Sequence, residues 1–291
     1  MSNIQITENE SGKYSPEWFY NEAQKPEWIA FIRKADTLHE NFINHFGIEH
    51  LKSLSGKELL TSLFYNDKGN KLNLCYVLEM DKDMREIFGS IAGGAAYKFG
   101  LFFHKKTQSW TCGSPAKPVK LTENEAIQKA EEIRNDLVAG AEIISSFGPL
   151  NSTADYEQLY KQLEHISGIN TVWRMKYYQM LFPILFAPFY GQDIQLDVLH
   201  FLNQTPSEIP FIRMGQIALF SKKCNIPGIV FGHIWGRSTN HNNKSNDSET
   251  NTLSDKKHKL HYWMYTVFDD TSWMECQQKE IMVLGMDDIG D

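Results

Sequence analysis

Residues 172–190 read Val172-Trp-Arg-Met-Lys-Tyr-Tyr-Gln-Met-Leu-Phe-Pro-Ile-Leu-Phe-Ala-Pro-Phe-Tyr190, and seven of these nineteen side chains are aromatic. Four apolar residues in the first half recur at helical spacing, which predicts the buried stripe of a helix: Trp173, Tyr177, Met180 and Leu181. Pro183 and Pro188 then break the helix, and the Phe side chains of this broken segment would pack beneath the next helix. The stretch therefore predicts the centre of a mostly helical core.

A second interpretation of the same stretch is a nucleic-acid surface. Aromatic rings interleaved with cations can stack on bases and contact phosphates. We favour the core, with Arg174, Lys176 and Tyr178 facing outward from it. These three side chains are therefore candidate contacts to nucleic acid.

Further helices are predicted on both sides of this core. Apolar residues recur at helical spacing from Pro26 to Phe46. Capping-box patterns at Ser55–Glu58 and Thr122–Glu125 mark two helix starts, and the second opens the longest helix, to about Phe147. Four more helices, separated in part by prolines, are predicted at about 155–166, 171–182, 193–202 and 210–223.

Strands are fewer in the predicted fold. Leu72–Leu78 and Tyr97–Phe103 have strand character, and Trp110–Cys112 is expected to pair with the second of these as a hairpin. A short helix is predicted at Asp81–Phe88. The fold class is therefore α+β: a mostly helical domain with a small antiparallel sheet, then a linker and an incomplete β-rich module.

The predicted domain organisation has four parts. Residues 1–16 are polar and predict a flexible N-terminus, and 17–236 form the α+β domain. Residues 237–259 contain the polar tract Asn240–Asn251, which predicts a linker. Residues 260–291 hold two short apolar segments that look like the first strands of a β-rich module. Such a fragment cannot bury an apolar face unaided, so the chain is expected to be the front of a longer protein.

Composition excludes several classes of protein. Hydrophobic residues make up 42% of the 291 residues, which is enough for a sizeable core and excludes wholesale disorder. No apolar run approaches the ~20 residues of a membrane span, and the polar N-terminus is no signal peptide, so no membrane partner is expected. The four cysteines lie far apart without a C-x-x-C pair, which disfavours a disulfide framework or a zinc site and fits a reducing cytoplasm.

The net charge of −7 is unevenly distributed. Residues 1–167 carry −5 (18 Lys/Arg against 23 Asp/Glu), residues 168–237 carry +3 (6 against 3), and residues 238–291 carry −5 (5 against 10). An acidic whole does not favour non-specific DNA binding, whereas the basic middle leaves room for a local phosphate footprint. The candidate nucleic-acid contacts are Lys98, Arg174, Lys176, Tyr178, Arg213, Lys222 and Lys223. The last two could equally complement the dipole of a helix C-terminus.

The segment Gly89-Ser-Ile-Ala-Gly-Gly94 invites interpretation as a phosphate-binding loop. No Gly-Lys-Ser/Thr follows it or occurs elsewhere, so no P-loop is predicted and the chain is not itself an NTPase. A turn that needs positive φ is favoured, and a loop contacting a phosphate or a partner is the alternative. His39-Glu40 lacks the second His of a zinc-protease motif, and the Glu-x-Lys of a nuclease site does not occur. We therefore predict no catalytic residues, no metal ligands and no cofactor in this chain.

Three stretches carry a resemblance to a known family: Gly89–Gly100, Lys176–Pro183 and Arg213–Phe220. Together they resemble the N-terminal region of McrB-like AAA+ proteins, which are the motor subunits of modification-dependent restriction systems in phage defence. The resemblance implies a DNA-recognition segment that acts on DNA, including modified DNA, together with an AAA+ motor and a nuclease subunit. The motor itself is absent from this sequence.

The tail adds to this resemblance. Tyr262-Trp-Met-Tyr265, Trp273 and Ile281–Asp291 look like the first strands of an EVE-like (PUA-related) module, which flips out and reads a modified base. Tyr262 and Trp263 would then contribute to the base pocket. The sequence holds only the start of such a module, so little or no discrimination of modified bases by this chain alone is expected.

Two other classes of function remain open. The first is a protein-interaction or scaffolding domain, with no DNA binding of its own, whose basic middle meets an acidic partner. The second is an enzyme whose site is assembled only in space. The salt dependence of DNA retention separates the DNA-binding and scaffolding hypotheses.

Overall fold

The computed structural model describes residues 14–64, 72–93 and 96–248, with side chains described as far as residue 239. The chain divides into two compact units after Lys244, and the first unit is the one described below.

Within these ranges the structure is mostly helical, and the predicted α+β class is confirmed. Its α-helices in chain order are α1 Pro16–Ala23, α2 Glu27–Phe46, α3 Ile48–Ser53, α4 Gly56–Leu63, α5 Leu74–Glu79, α6 Lys82–Phe88, α7 Glu123–Ser146, α8 Thr153–Leu163, α9 Val172–Leu181, α10 Gln192–Phe201, α11 Pro210–Lys223 and α12 Gly228–Ser248. A short 3₁₀ helix, Ala96–Phe99, precedes the sheet.

Side-chain caps fix where several helices begin. Thr122 and Glu125 form the predicted capping box at the start of α7, the longest helix. Ser152 and Asp155 form a second capping box at α8. Ser55 does precede α4 as predicted, but its side chain makes no capping bond. Each satisfied cap gives the first backbone N–H groups a partner that the helix itself cannot supply.

The sheet has three antiparallel strands in the order β1-β2-β3, comprising β1 Leu101–His104, β2 Ser109–Ser114 and β3 Lys117–Leu121. The predicted hairpin is confirmed, with Phe103 opposite Trp110 and Leu101 opposite Cys112. The third strand was missed. All three strands contact α7, which backs the sheet.

Helix α9 lies at the centre of the core, as the opening stretch predicted. Every residue from Trp173 to Leu181 is buried, and α9 contacts α2, α5 and α7. The Tyr177 hydroxyl donates to the Phe46 carbonyl oxygen at 3.0 Å, which ties α9 to the end of α2. The core interpretation of 172–190 is therefore confirmed.

Two of the predicted strands were partly or wholly wrong. Leu72–Leu78 was predicted as a strand, but Leu74–Glu79 is helix α5. The Asn73 side chain caps it by accepting from the Tyr76 N–H at 2.8 Å. Most residues of α5 are buried, whichever side of the helix they lie on, so the apolar run shows no helical periodicity in the sequence. In Tyr97–Phe103 only the last three residues are strand, because the 3₁₀ helix and Gly100, at φ 81°, precede them.

The ends of the domain also differ from prediction. Tyr14 is buried against the Phe201 ring at 4.8 Å, and α1 starts at Pro16, so the expected flexibility does not extend to residues 14–16. The backbone of 237–248 continues helix α12, so the first part of the predicted linker is helical. The rest of the linker and the predicted module at 260–291 lie outside the described residues.

Candidate nucleic-acid interface

Lys176 was predicted to face outward, and this was wrong. Its side chain is fully buried. The ammonium donates to the carbonyl oxygens of Leu78 at 2.8 Å and Gly89 at 2.6 Å, and lies 5.6 Å from the centre of the Tyr190 ring. Burial lowers the pKa of Lys176 from 10.5 to about 7, because a charged amine is poorly solvated there. Lys176 therefore joins α5 to the glycine segment and cannot reach a phosphate.

Lys98 has a similar structural role at the other end of the glycine segment. Its ammonium forms an ion pair with Glu79 and donates to the carbonyl oxygens of Ile91 and Gly93 at 2.9 and 2.8 Å. Gly89 and Gly93 have φ values of 79° and 115°, as a positive-φ turn requires. The two lysines thus bind carbonyl oxygens along the segment 89–93. An anion-binding loop would instead present its backbone N–H groups.

Arg174 and Tyr178 are also buried, contrary to prediction. The Arg174 guanidinium lies 3.4 Å from the Asp136 carboxylate and stacks over the Trp173 ring at 5.3 Å. The Tyr178 hydroxyl donates to the Asp136 backbone oxygen at 3.3 Å. Both side chains therefore join α9 to α7 instead of forming a surface.

The candidates on α11 divide into one buried and two exposed residues. Arg213 is buried and donates to the Glu208 carbonyl oxygen at 3.3 Å. Lys222 and Lys223 are exposed in the last turn of α11, and Lys222 donates to the Asn151 side chain at 2.7 Å. They lie where a cation complements a helix dipole. Of the predicted contacts, these two alone are exposed lysines among the described residues. Tyr262 and Trp263 lie outside those residues.

A basic surface that sequence reasoning missed lies on the three-stranded sheet. Between Glu86 and Glu123 the sequence has no Asp or Glu but five lysines. Four of these lysines are exposed on the sheet or its first turn: Lys105, Lys106, Lys117 and Lys120. We call these four side chains the sheet lysines. The acid-free run of lysines is visible in the sequence. It was overlooked because the charge was summed over residues 1–167, whose net value is −5.

Three of the sheet lysines, Lys105, Lys117 and Lys120, differ in their surroundings from other exposed lysines. Lys34 lies 2.5 Å from Asp83, Lys52 lies 2.5 Å from Glu142, and Lys129 lies 2.7 Å from Glu132. By contrast, Lys105, Lys117 and Lys120 make no ion pair with any residue that the structure describes. These three unpaired cations contribute a local positive potential on an acidic chain.

The shape of the sheet places these charges in solvent. Strand β3 is exposed from Lys117 to Lys120, and the side chain of Val119 is half exposed. Lys105 and Lys106 belong to the β1–β2 turn, which is exposed from 105 to 108. The buried residues of β1 and β2, such as Leu101 and Trp110, anchor this surface to the core.

A separate cavity of about 540 Å³ lies between α2, α11 and the start of α12. Its walls are mainly apolar, with Phe88 at its base and the exposed Ile184 at its rim. Asp36 and His39 supply polar groups from α2, and the buried Nε2 atom of His39 has no hydrogen-bond partner in the described part of the chain. Nothing in this arrangement selects one class of ligand.

The described residues contain no group of three or more His, Cys, Asp or Glu side chains that could hold a metal ion. No helix among them combines the length and the apolar character needed to cross a membrane.

Comparison with protein-family models, with curated proteins and with solved structures gives no match. The sheet lysines are therefore the feature from which a function can be inferred.

Proposed function

We propose that this chain is a DNA-recognition segment and that it contacts the phosphate backbone through the sheet lysines. The observation that carries the proposal is the stretch from 87 to 122, which has five lysines and no acidic residue and folds into an exposed sheet. Phosphate contacts by lysine supply the sequence-independent part of DNA affinity.

The charge of the rest of the chain supports binding of DNA at the sheet in preference to the other faces. The net charge is −7, so most of the surface repels a polyanion. Several exposed lysines elsewhere already pair with carboxylates, which neutralises them locally. DNA would therefore approach the sheet in preference to the other faces.

The proposed role within a larger system follows from the sequence resemblance to McrB-like proteins. In that setting the chain contributes binding and no catalysis, and a separate AAA+ motor and a nuclease perform hydrolysis and cleavage. The burial of Arg174, Lys176, Tyr178 and Arg213 removes these residues from the proposed interface, and the ion pair with Glu79 removes Lys98.

The test is a salt titration of duplex DNA binding with two matched triple variants. One variant, K105Q/K117Q/K120Q, removes three sheet lysines. The control, K34Q/K52Q/K129Q, removes three exposed lysines that pair with carboxylates, and such surface pairs contribute only about 0–1 kcal/mol to stability. Both variants change the net charge equally.

If each sheet lysine contacts one phosphate, the log–log slope of the wild type is about −3.6, from about −0.9 per contact. The sheet variant should reduce the slope to about −1, while the control should keep the wild-type slope. Equal slopes in the two variants would refute the proposal.

A scaffolding domain that binds an acidic protein is the second candidate function. The half-exposed Val119 on β3, on the same face of the strand as Lys117, favours it, because protein interfaces combine apolar and charged groups. A wild-type slope near zero with DNA would favour this candidate.

A further inference from the structure

The β1–β2 turn holds one histidine in a fixed orientation. His104 ends β1 and lies opposite Ser109, the first residue of β2. The backbone N–H of Thr107 donates to the Nδ1 atom of His104 at 3.2 Å. The Thr107 hydroxyl lies 3.0 Å from the same nitrogen and 2.8 Å from the Ser109 hydroxyl. The turn itself therefore determines how the imidazole ring is placed.

This hydrogen bond also determines which ring nitrogen carries the proton. Because Nδ1 accepts from a backbone N–H, it must present its lone pair. The neutral ring then carries its proton on Nε2. The His104 side chain is half-buried, and Nε2 has no partner in the described part of the chain. The ring is thus held in place through Nδ1, and its Nε2–H is available as a hydrogen-bond donor.

The register places this donor on the face of the sheet that carries Lys120, whereas Lys117 lies on the opposite face. Phe102 lies opposite Thr111, and Thr111 lies opposite Lys120. Alternate residues of a strand share a face, so His104 and Lys120 lie on the same face, two strands apart. Two strand spacings and an offset of two residues along the strand put the two Cα atoms about 12 Å apart, so the two side chains would meet different phosphates of one backbone. Lys105 directly follows His104 in the turn.

We propose that His104 is a phosphate ligand of this surface, donating its Nε2–H to a phosphodiester oxygen while the sheet lysines supply the charge. This inference deepens the proposed function and rests on it. Lysine ammonium groups are flexible point charges and do not fix the orientation of a phosphate. A neutral N–H donor that is held by a backbone hydrogen bond adds this directional contact.

Two conservative variants separate the two ring nitrogens. Asparagine can reproduce the Nδ1 acceptor for the Thr107 N–H but has no group at the position of Nε2. Glutamine can place its amide N–H near the position of Nε2. For duplex DNA at fixed low salt, H104N should weaken binding about tenfold, and H104Q about twofold. Thermal unfolding of each variant would confirm that both are folded.

The salt dependence gives a second readout that a merely structural role would not produce. A neutral ligand releases no counterion, so H104N should lower the affinity and leave the log–log slope unchanged. The K105Q/K117Q/K120Q variant should change the slope. Equal affinity of H104N and wild type, or a slope that falls by about one in H104N, would overturn the inference while leaving the proposed function intact.

Titration with inorganic phosphate provides a test of the His104 site that does not depend on DNA binding. In the wild-type protein, titration with inorganic phosphate should shift the NMR signals of the His104 ring nitrogens, with Nδ1 remaining the acceptor. If DNA fails to bind but phosphate shifts these signals, the anion site stands and the proposed function fails. If neither DNA nor phosphate perturbs His104, the inference is refuted, and the salt titration of DNA binding decides the proposed function separately.

Discussion

Lys176→Met should abolish a pH dependence of stability that the wild-type protein shows between about pH 7 and 9. Lys176 is fully buried and donates to two backbone carbonyl oxygens. Burial lowers its pKa from 10.5 to about 7, with the charge of Arg85 adding to the effect and that of Asp81 opposing it. In the unfolded chain the amine regains its ordinary pKa.

The magnitude follows from this difference in pKa. Between pH 7 and 9 the unfolded lysine remains protonated while the folded one loses its proton. The unfolded state therefore binds more protons, and stability rises with pH. With about 1.36 kcal/mol per pKa unit, the free energy of unfolding should rise by about 2 kcal/mol over this window. The gain is complete above the unfolded pKa of 10.5 and is lost as the pH falls through about 7.

Urea unfolding of wild type and K176M at pH 7, 8 and 9 measures the effect. Near pH 9 Cys224 opposes the rise slightly, because burial raises its pKa from 9.0 to about 12 and only the unfolded thiol begins to ionise there; this contribution is the same in both proteins, so the difference between wild type and K176M reports on Lys176. Methionine leaves two carbonyl oxygens without a donor, which shifts the stability of K176M equally at every pH. A flat wild-type profile, or an equal rise in K176M, would refute the reasoning.

Two further predictions concern packing and recognition. Gly215→Ala should destabilise the protein by about 3 kcal/mol in urea unfolding, because the added Cβ would overlap the Tyr156 ring. Gly236→Ala is the control: its Cβ would meet open space, so this substitution should be neutral or slightly stabilising. Methylated and unmethylated duplexes of one sequence should bind within about twofold of each other in a competition assay, because phosphate contacts carry no base information; a tenfold preference would contradict this.

Helices were the part of the fold that the sequence predicted well. Helices α2 and α7 were predicted from apolar spacing and from the capping box at Thr122, and α6 was predicted at Asp81–Phe88, where the structure shows Asp81 as the cap. Helix α5 was mistaken for a strand because its short apolar run is buried on most sides and has no period. Strand β3 was missed because Lys117–Leu121 contains a proline and is exposed on both faces, so it shows no alternation.

The candidate site was predicted poorly for a physical reason. Lys176 and Arg174 were selected because they interrupt an apolar stretch, where a cation would be expected to face solvent. Only the folded chain shows that the Leu78 and Gly89 carbonyl oxygens, and the Asp136 carboxylate, lie close enough to receive them. These partners are 38 to 98 residues away in sequence.

Strand β3 also has a consequence for solubility. It is an edge strand of the described sheet, and exposed edges tend to pair with the edges of other molecules and aggregate. Lys117, Lys120 and Pro118, which lacks an N–H group, are the residue types that prevent such pairing. Selection against aggregation would therefore keep these residue types on β3 independently of any ligand that the sheet binds.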